Sequence, residues 1–135
     1  MIQSVKTGKE IIVTSKNKVG LLSAVSKVLS DHGINIVAIS AQAAGGVALI
    51  NLVTDDHVTA LETLQKAGYQ AHDNNVVLVE LDDTPGALRK VGQKLAAKKI
   101  DLINLYGSTT ATYVPCLLVL SSSNNQKAIV TLRRG

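Results

Sequence analysis

Along the chain, β-branched apolar runs alternate with stretches whose apolar residues lie three and four apart. Glu10-Ile11-Ile12-Val13-Thr14 is a run of the first kind and predicts a strand. It breaks at Ser15-Lys16-Asn17-Lys18. Leu22, Val25, Val28, Leu29 and His32 then fall at helical spacing, with Ser23, Ser26, Lys27 and Ser30 between them. Gly33 predicts the stop of that helix in a left-handed cap. Ile34 to Ala41 and Val47 to Thr54 predict two strands joined by a tight turn at Ala44-Gly45-Gly46. Asp55-Asp56 suits a helix start, because carboxylates are favoured at its positive end. Val58, Leu61 and Leu64 predict that helix's inner face, Gly68 its stop, and Tyr69 to Asp73 a short strand.

The order then restarts. Placing Val19-Gly20-Leu21-Leu22 over Pro85-Gly86-Ala87-Leu88, an offset of 66, aligns Leu22 with Leu88, Val25 with Val91 and Leu29 with Leu95. Further on, Ile34 meets Ile100, Asn35 meets Asp101, Ile36 meets Leu102 and Ile39 meets Leu105. Apolar positions coincide and exposed ones mostly differ, as in two copies of one fold with separate surfaces. The second copy predicts strands over Val76 to Leu81, Asp101 to Gly107 and Tyr113 to Leu120. It also predicts a helix with Leu88, Val91 and Leu95 inward, and a closing helix near Gln126 to Arg134.

Strand–helix–strand–strand–helix–strand is the split βαβ unit. The expected fold class is therefore α+β: two ferredoxin-like βαββαβ units, each a four-stranded antiparallel sheet with helices on one face. Asp73-Asn74-Asn75 is the expected junction, dividing the chain into residues 1–73 and 74–135. The second copy ends before its fourth strand. Ile2 to Thr7 has no counterpart in the repeat and is expected to fill that vacant edge.

Composition narrows the chemistry. Apolar residues make up 46% of the chain, enough for a core and too many for wholesale disorder. With no Phe or Trp and three Tyr, that core must be aliphatic. The formal net charge of +4 is a mild excess that says little about partners. One cysteine, Cys116, permits no intrachain disulfide. The N-terminus has no apolar run of signal-peptide length, and no segment approaches the roughly 20 apolar residues of a membrane span. The expectation is a cytoplasmic protein without a membrane partner.

Function on such a fold must come from sites. The two turns between first strand and first helix carry glycines, Gly20 and Gly86, which let a ligand approach the backbone closely. Free N–H groups and the helix dipole favour a carboxylate there. Asn35 in one copy, and Asp101 and Asn104 in the other, offer partners for an ammonium or amide. These residues resemble the ACT domain family, over nearly the whole chain, twice. The best-matching piece is Asp83-Thr84-Pro85-Gly86-Ala87-Leu88, similar to the family's acidic-x-Pro-Gly-x-Leu turn. Gly33-Ile34-Asn35-Ile36 and Lys99-Ile100-Asp101-Leu102 look like the family's approach to its second strand. The resemblance implies reversible binding of an amino-acid effector between two ACT units, the glycine turn of one facing the second strand of its neighbour. Carried over, the ligand-binding residues are Asn17, Val19, Gly20, Leu21, Asn35 and Ile36, with Asp83, Pro85, Gly86, Ala87, Asp101 and Leu102. The first turn departs from the pattern, with Asn17 for the acid and Val19 for the proline. No cofactor is expected. Expected partners are the effector, a second copy in a homodimer, and a metabolic enzyme or regulator that receives the signal.

Catalysis finds little support. There is no G-x-S-x-G elbow. Cys116 sits in an apolar strand as a structural thiol, and His32, His57 and His72 have no second His or Cys at metal-ligand spacing. Thr7-Gly8-Lys9-Glu10 is not a phosphate cradle. Two rival readings share the fold. RNA modules stack bases on sheet aromatics, and here only Tyr106 and Tyr113 offer them. Arg89, Lys90, Lys94, Lys98 and Lys99 read as a solvated helix face rather than a nucleic-acid surface. A pure interaction module would instead pair edge to edge and show no ligand effect.

Overall fold

A computed structural model describes residues 2–108 and 114–134. The elements are β1 (Ile2–Lys16), α1 (Leu21–Asp31), β2 (Ile36–Ala44), β3 (Val47–Thr54), α2 (His57–Lys66), β4 (Gln70–Leu81), α3 (Ala87–Ala97), β5 (Leu102–Ser108), β6 (Cys116–Ser122) and α4 (Asn125–Arg133). The fold is α+β, with the six strands in one sheet of order β2-β3-β1-β4-β6-β5. β3 runs antiparallel to both β1 and β2, and β6 antiparallel to both β4 and β5.

The sequence predicts eight strands, and the described residues form six. Ile2 to Thr7 and Glu10 to Thr14 are one continuous strand, and the expected junction at Asp73-Asn74-Asn75 lies inside β4. Asp73, Asn74 and Asn75 favour turns, yet each has a partner within β4's surroundings, Asp73 pairing with His57. The Asn74 amide donates to Glu10 Oε1 at 2.9 Å, and Asn125 Nδ2 donates to the Asn75 carbonyl at 3.0 Å.

The chain divides into two compact units. One is Lys9–Asn74, and the other joins Met1–Gly8 to Asn75–Gly135. Met1–Gly8 is grouped with Asn75–Gly135, so the division falls within β1 as well as at Asn74. In Lys9–Asn74 the core gathers Ile11, Val13, Leu21, Val25, Leu29, Ile50, Leu52, Ala60 and Leu64. In the other unit Val5 packs with Val77, Val79, Ala87, Val91, Leu95, Leu118, Leu120, Ala128 and Leu132. Arg133 Nε donates to the Val5 carbonyl at 2.9 Å, as Gln65 Nε2 does to the Ala71 carbonyl at the same distance in the first unit.

The inward positions of α1 and α3 are the expected ones except in the first turn. Leu21, Val25 and Leu29 face the α1 core, and Ala87, Val91 and Leu95 the α3 core. Leu22 and Leu88, expected inward, are 49% and 53% exposed. His32 is exposed as well, with Nδ1 2.9 Å from the Val28 carbonyl. On α2, Ala60 and Leu64 are buried and Val58 is exposed. Asp56 and Asn124 cap α2 and α4, accepting from the N–H groups of Thr59 and Lys127.

Matching backbone bonds recur 66 residues apart. Ile34 N–H donates to Leu29 O at 3.0 Å, and Ile100 N–H to Leu95 O at 3.0 Å. The residue before each adopts a left-handed conformation: Gly33 at φ 69° and Lys99 at φ 58°. Lys99 is the one non-glycine residue with positive φ among the described residues. A side chain there costs about 1 kcal/mol against glycine. Lys99→Gly is expected to stabilise the protein by about 0.5–1 kcal/mol, part of the gain being offset by glycine's larger unfolded-state entropy. A urea midpoint equal to or below the parent's contradicts this.

Candidate ligand site

The end of β1 and the start of α1 build the first candidate site. Asn17 N–H donates to Gly46 O at 2.8 Å, tying the turn to the β2–β3 hairpin. Leu21 N–H returns to Lys18 O at 3.2 Å and Ala24 N–H to Gly20 O at 3.0 Å. Gly20, at φ 87°, is the residue before the helix. No side chain caps this helix start. In most helices a Ser, Thr, Asp or Asn side chain satisfies part of the first turn's N–H groups. Here that position is left open toward solvent, and Val19 is fully exposed beside it.

A cleft of about 310 Å³ lies between this turn and the hairpin. Asn17, Lys18, Gly20, Leu21 and Leu22 form one wall, and Ala41, Gln42, Ala43, Ala48 and Ile50 the other. Its walls are mainly aliphatic, with Lys18, Asn17 and Gln42 as the polar groups. Of the expected ligand-binding residues, Asn17, Gly20 and Leu21 line this cleft, and Lys18 and Gln42 line it besides. Gln42 breaks a run of alanines on β2, a visible but weak signal.

Asn35 and Ile36 are not in this cleft. Ile36 pairs with Thr54 at the far end of β2, whereas Ala41 and Ala43 pair with Ile50 and Ala48. Asn35 precedes β2. Its N–H donates to Asp55 Oδ1 at 2.9 Å, and its carbonyl accepts from Asp55 N–H at 3.1 Å. The backbone of Asn35 thus ties the β2 start to the turn before α2.

The second turn has the same construction. Gly86 adopts φ 89° with no side-chain cap, Ala87 N–H donates to Thr84 O at 3.2 Å, and Lys90 N–H to Gly86 O at 3.0 Å. Pro85 is exposed, Asp83 half-buried and Ala87 buried. Gln3 Nε2 donates to the Asp82 carboxylate, which holds that carboxyl below its ordinary range. Asp101 repeats the Asn35 arrangement, its N–H donating to Ser123 Oγ at 3.0 Å and its carbonyl accepting from Ser123 N–H at 2.9 Å. Leu102 is exposed and pairs with Ser122. The residues corresponding to the Gly45–Gly46 turn fall within 109–113, and Tyr113 with them, outside the described residues.

Other reactive groups are engaged structurally. Cys116 is half-buried at the start of β6 and packs on the core. Burial, and secondarily the Asp83 carboxylate, push its thiol pKa up, which lowers the thiolate fraction a nucleophile needs. His57 Nε2 pairs with Asp73 at the head of α2. Among the described residues no group of three His, Cys, Asp or Glu side chains is arranged to hold a metal ion. Nor is any described helix long and apolar enough to cross a membrane.

No curated protein sequence matches the chain. Solved structures of the same fold do. Protein BT0572 from Bacteroides thetaiotaomicron superposes with a TM-score of 0.88 at 24% identity, over 96% of this chain and 88% of that one. The ligand-free regulatory subunit of aspartate kinase from Thermus thermophilus superposes at 0.66 and 16% identity, over 98% and 97%. Aspartokinase alpha and beta subunits give 0.66 and 15%, over 99% and 97%. At these identities the likeness shows a shared fold. The family model of the ACT domain matches residues 9–67, the span that contains the Gly20 turn, its cleft and Asn35.

Proposed function

We propose that this chain is a regulatory protein that binds an amino acid reversibly and passes the signal to a partner in amino-acid metabolism. The observation that carries the reading is the cleft at the uncapped Gly20 turn, inside the segment that matches the ACT domain. An effector's carboxylate meets the helix-start N–H groups at Gly20 or Gly86. Its ammonium meets Asn35 or Asp101 of a facing unit, and its side chain lies on the aliphatic wall. Asn17, Val19 and Leu21 complete the first turn and Asp83, Pro85 and Ala87 the second, with Ile36 or Leu102 supplied by the facing unit.

The tandem character belongs to this proposal. The 66-residue repeat, the matching bonds at Gly33 and Lys99, and the paired contacts Gln65–Ala71 and Arg133–Val5 all support two ACT-type units. In each, the last strand of one copy runs unbroken into the first strand of the next. Residues 2–8 then serve as the fourth strand of the discontinuous unit. Structural neighbours that are regulatory subunits of aspartate kinase support a regulatory rather than catalytic role. The signal is the free energy with which the ligand favours one packing of units, in a homodimer or against a metabolic enzyme.

A thermal-shift screen against the twenty amino acids tests this. A ligand at 100 times its Kd adds about 2.7 kcal/mol, and for a chain of this length that raises Tm by roughly 5–10 °C. Twenty flat melting curves at millimolar ligand contradict the proposal.

A further inference from the structure

The basic residues are unevenly spread. Met1–Gly8 with Asn75–Gly135 holds nine Lys and Arg against four Asp and Glu, while Lys9–Asn74 holds five against six. The excess gathers on α3 and α4, where a cleft of about 270 Å³ opens beside the start of β1. Ile2, Val5 and Leu132 give it an apolar floor, and Lys90, Lys94 and Arg133 give it three cations. Among the described residues no Asp or Glu lines it.

Comparison with the other unit separates what the fold needs from what it does not. The positions corresponding to Lys90, Lys94 and Arg133 are Ala24, Val28 and Gln65. Gln65 makes the same strand-to-helix bond with no charge, so the Arg133 bond to Val5 does not require a guanidinium. Lys94 Nζ donates to the Arg134 carbonyl, a capping task that leaves its charge at the cleft. The Lys90 side chain makes no hydrogen bond or ion pair among the described residues, and it lines the cleft. Three like charges around an apolar floor repel one another unless an anion sits between them.

We infer that this cleft is a binding site for a small dianion with a short apolar portion, a phosphate monoester or a dicarboxylate. Its charged end sits among Lys90, Lys94 and Arg133 through charge-assisted hydrogen bonds, and its carbon skeleton rests on Ile2, Val5 and Leu132. The site is separate from the glycine turns and stands whether or not an amino acid binds there.

Calorimetric titration of the full chain with glycerol 3-phosphate and with glutarate tests it, with acetate and chloride as monoanion controls. One dianion is expected to bind saturably at one site per chain. Tighter binding of the first assigns a phosphate ligand and of the second a dicarboxylate. Arg133→Gln keeps the bond to Val5 in the manner of Gln65, so Lys90→Gln/Arg133→Gln is expected to melt as the parent does. It should weaken the dianion about tenfold or more, since charge-assisted bonds are roughly twice as strong as neutral ones. Lys90→Gln alone, at an exposed position, is expected to weaken it severalfold and serves if the double variant misfolds. Binding no tighter than acetate at about 10 mM, a concentration that detects even millimolar Kd, overturns the assignment. So does undiminished binding to the variants.

Discussion

Removing residues 2–7 is expected to unfold the unit formed with Asn75–Gly135. Val5 is buried in that unit's core beside Val77, Val79 and Leu132, and Ile2 packs against the same cluster. Each such apolar side chain contributes about 1.5–3 kcal/mol when fully buried. The Arg133 bond to Val5 O would go with them, leaving a donor near the end of α4 without its acceptor. β1, the neighbour of β4 in the sheet, would be cut short. Together these losses are on the order of 5 kcal/mol, as large as the whole stability of many small domains. Hydrogen exchange is the measurement that reads it. Amides of α3, β5, β6 and α4 should lose protection in the truncated chain. Protection equal to the parent's in those elements contradicts the assignment of the strand.

Glu10→Ala is expected to destabilise the Lys9–Asn74 unit by about 3–4 kcal/mol, because its loss strands two amide donors and opens a cavity. Glu10 is 1% exposed. Its Oε1 accepts from Asn51 Nδ2 at 3.1 Å and from Asn74 Nδ2 at 2.9 Å. Asn51 is itself buried on β3, so the carboxylate joins three strands through one oxygen. At a typical urea dependence of about 2 kcal/mol per molar, the midpoint should fall by roughly 1.5–2 M. Glu10→Gln keeps an acceptor oxygen in place and should fall by less than half as much. Equal midpoints for the parent and Glu10→Ala would show that the asparagines find other partners.

Much of the fold was legible because periodicity reports burial directly. Val25 and Leu29, Val91 and Leu95, and the β-branched runs at Ile11 and Val77 all occupy the core as their spacing predicts. The errors have physical causes. Leu22 and Leu88 are more apolar than Ala87, so hydrophobicity alone chose them for the core. The helix phase is instead set by where Gly20 and Gly86 start the first turn, and that phase puts Leu21 and Ala87 inward. Asn74 and Asn75 looked like a linker because asparagine favours turns. Their partners, Glu10 and Asn125, are 64 and 50 residues away, beyond any local window.

The candidate site was legible at its turns and less so at its far wall. Gly20 and Gly86 stand out in the sequence at equivalent places between first strand and first helix, and in the structure both adopt positive φ before an uncapped helix start. Gln42 lines the cleft only through the register of β2 with β3, which pairs it with Leu49 and Ala41 with Ile50. Register is a tertiary fact, fixed by pairing with β3 rather than by residues near Gln42.

An amino acid is proposed to bind at the uncapped Gly20 turn, the Gly86 turn or both. The most direct measurement is a two-dimensional amide NMR titration of the full chain with each of the twenty amino acids. At least one of them is predicted to move the amide signals of Gly20 to Ser23, of Gly86 to Arg89, or of both, saturably and in fast or slow exchange. No saturable change at either turn with any amino acid, or changes confined to other parts of the chain, would contradict the account.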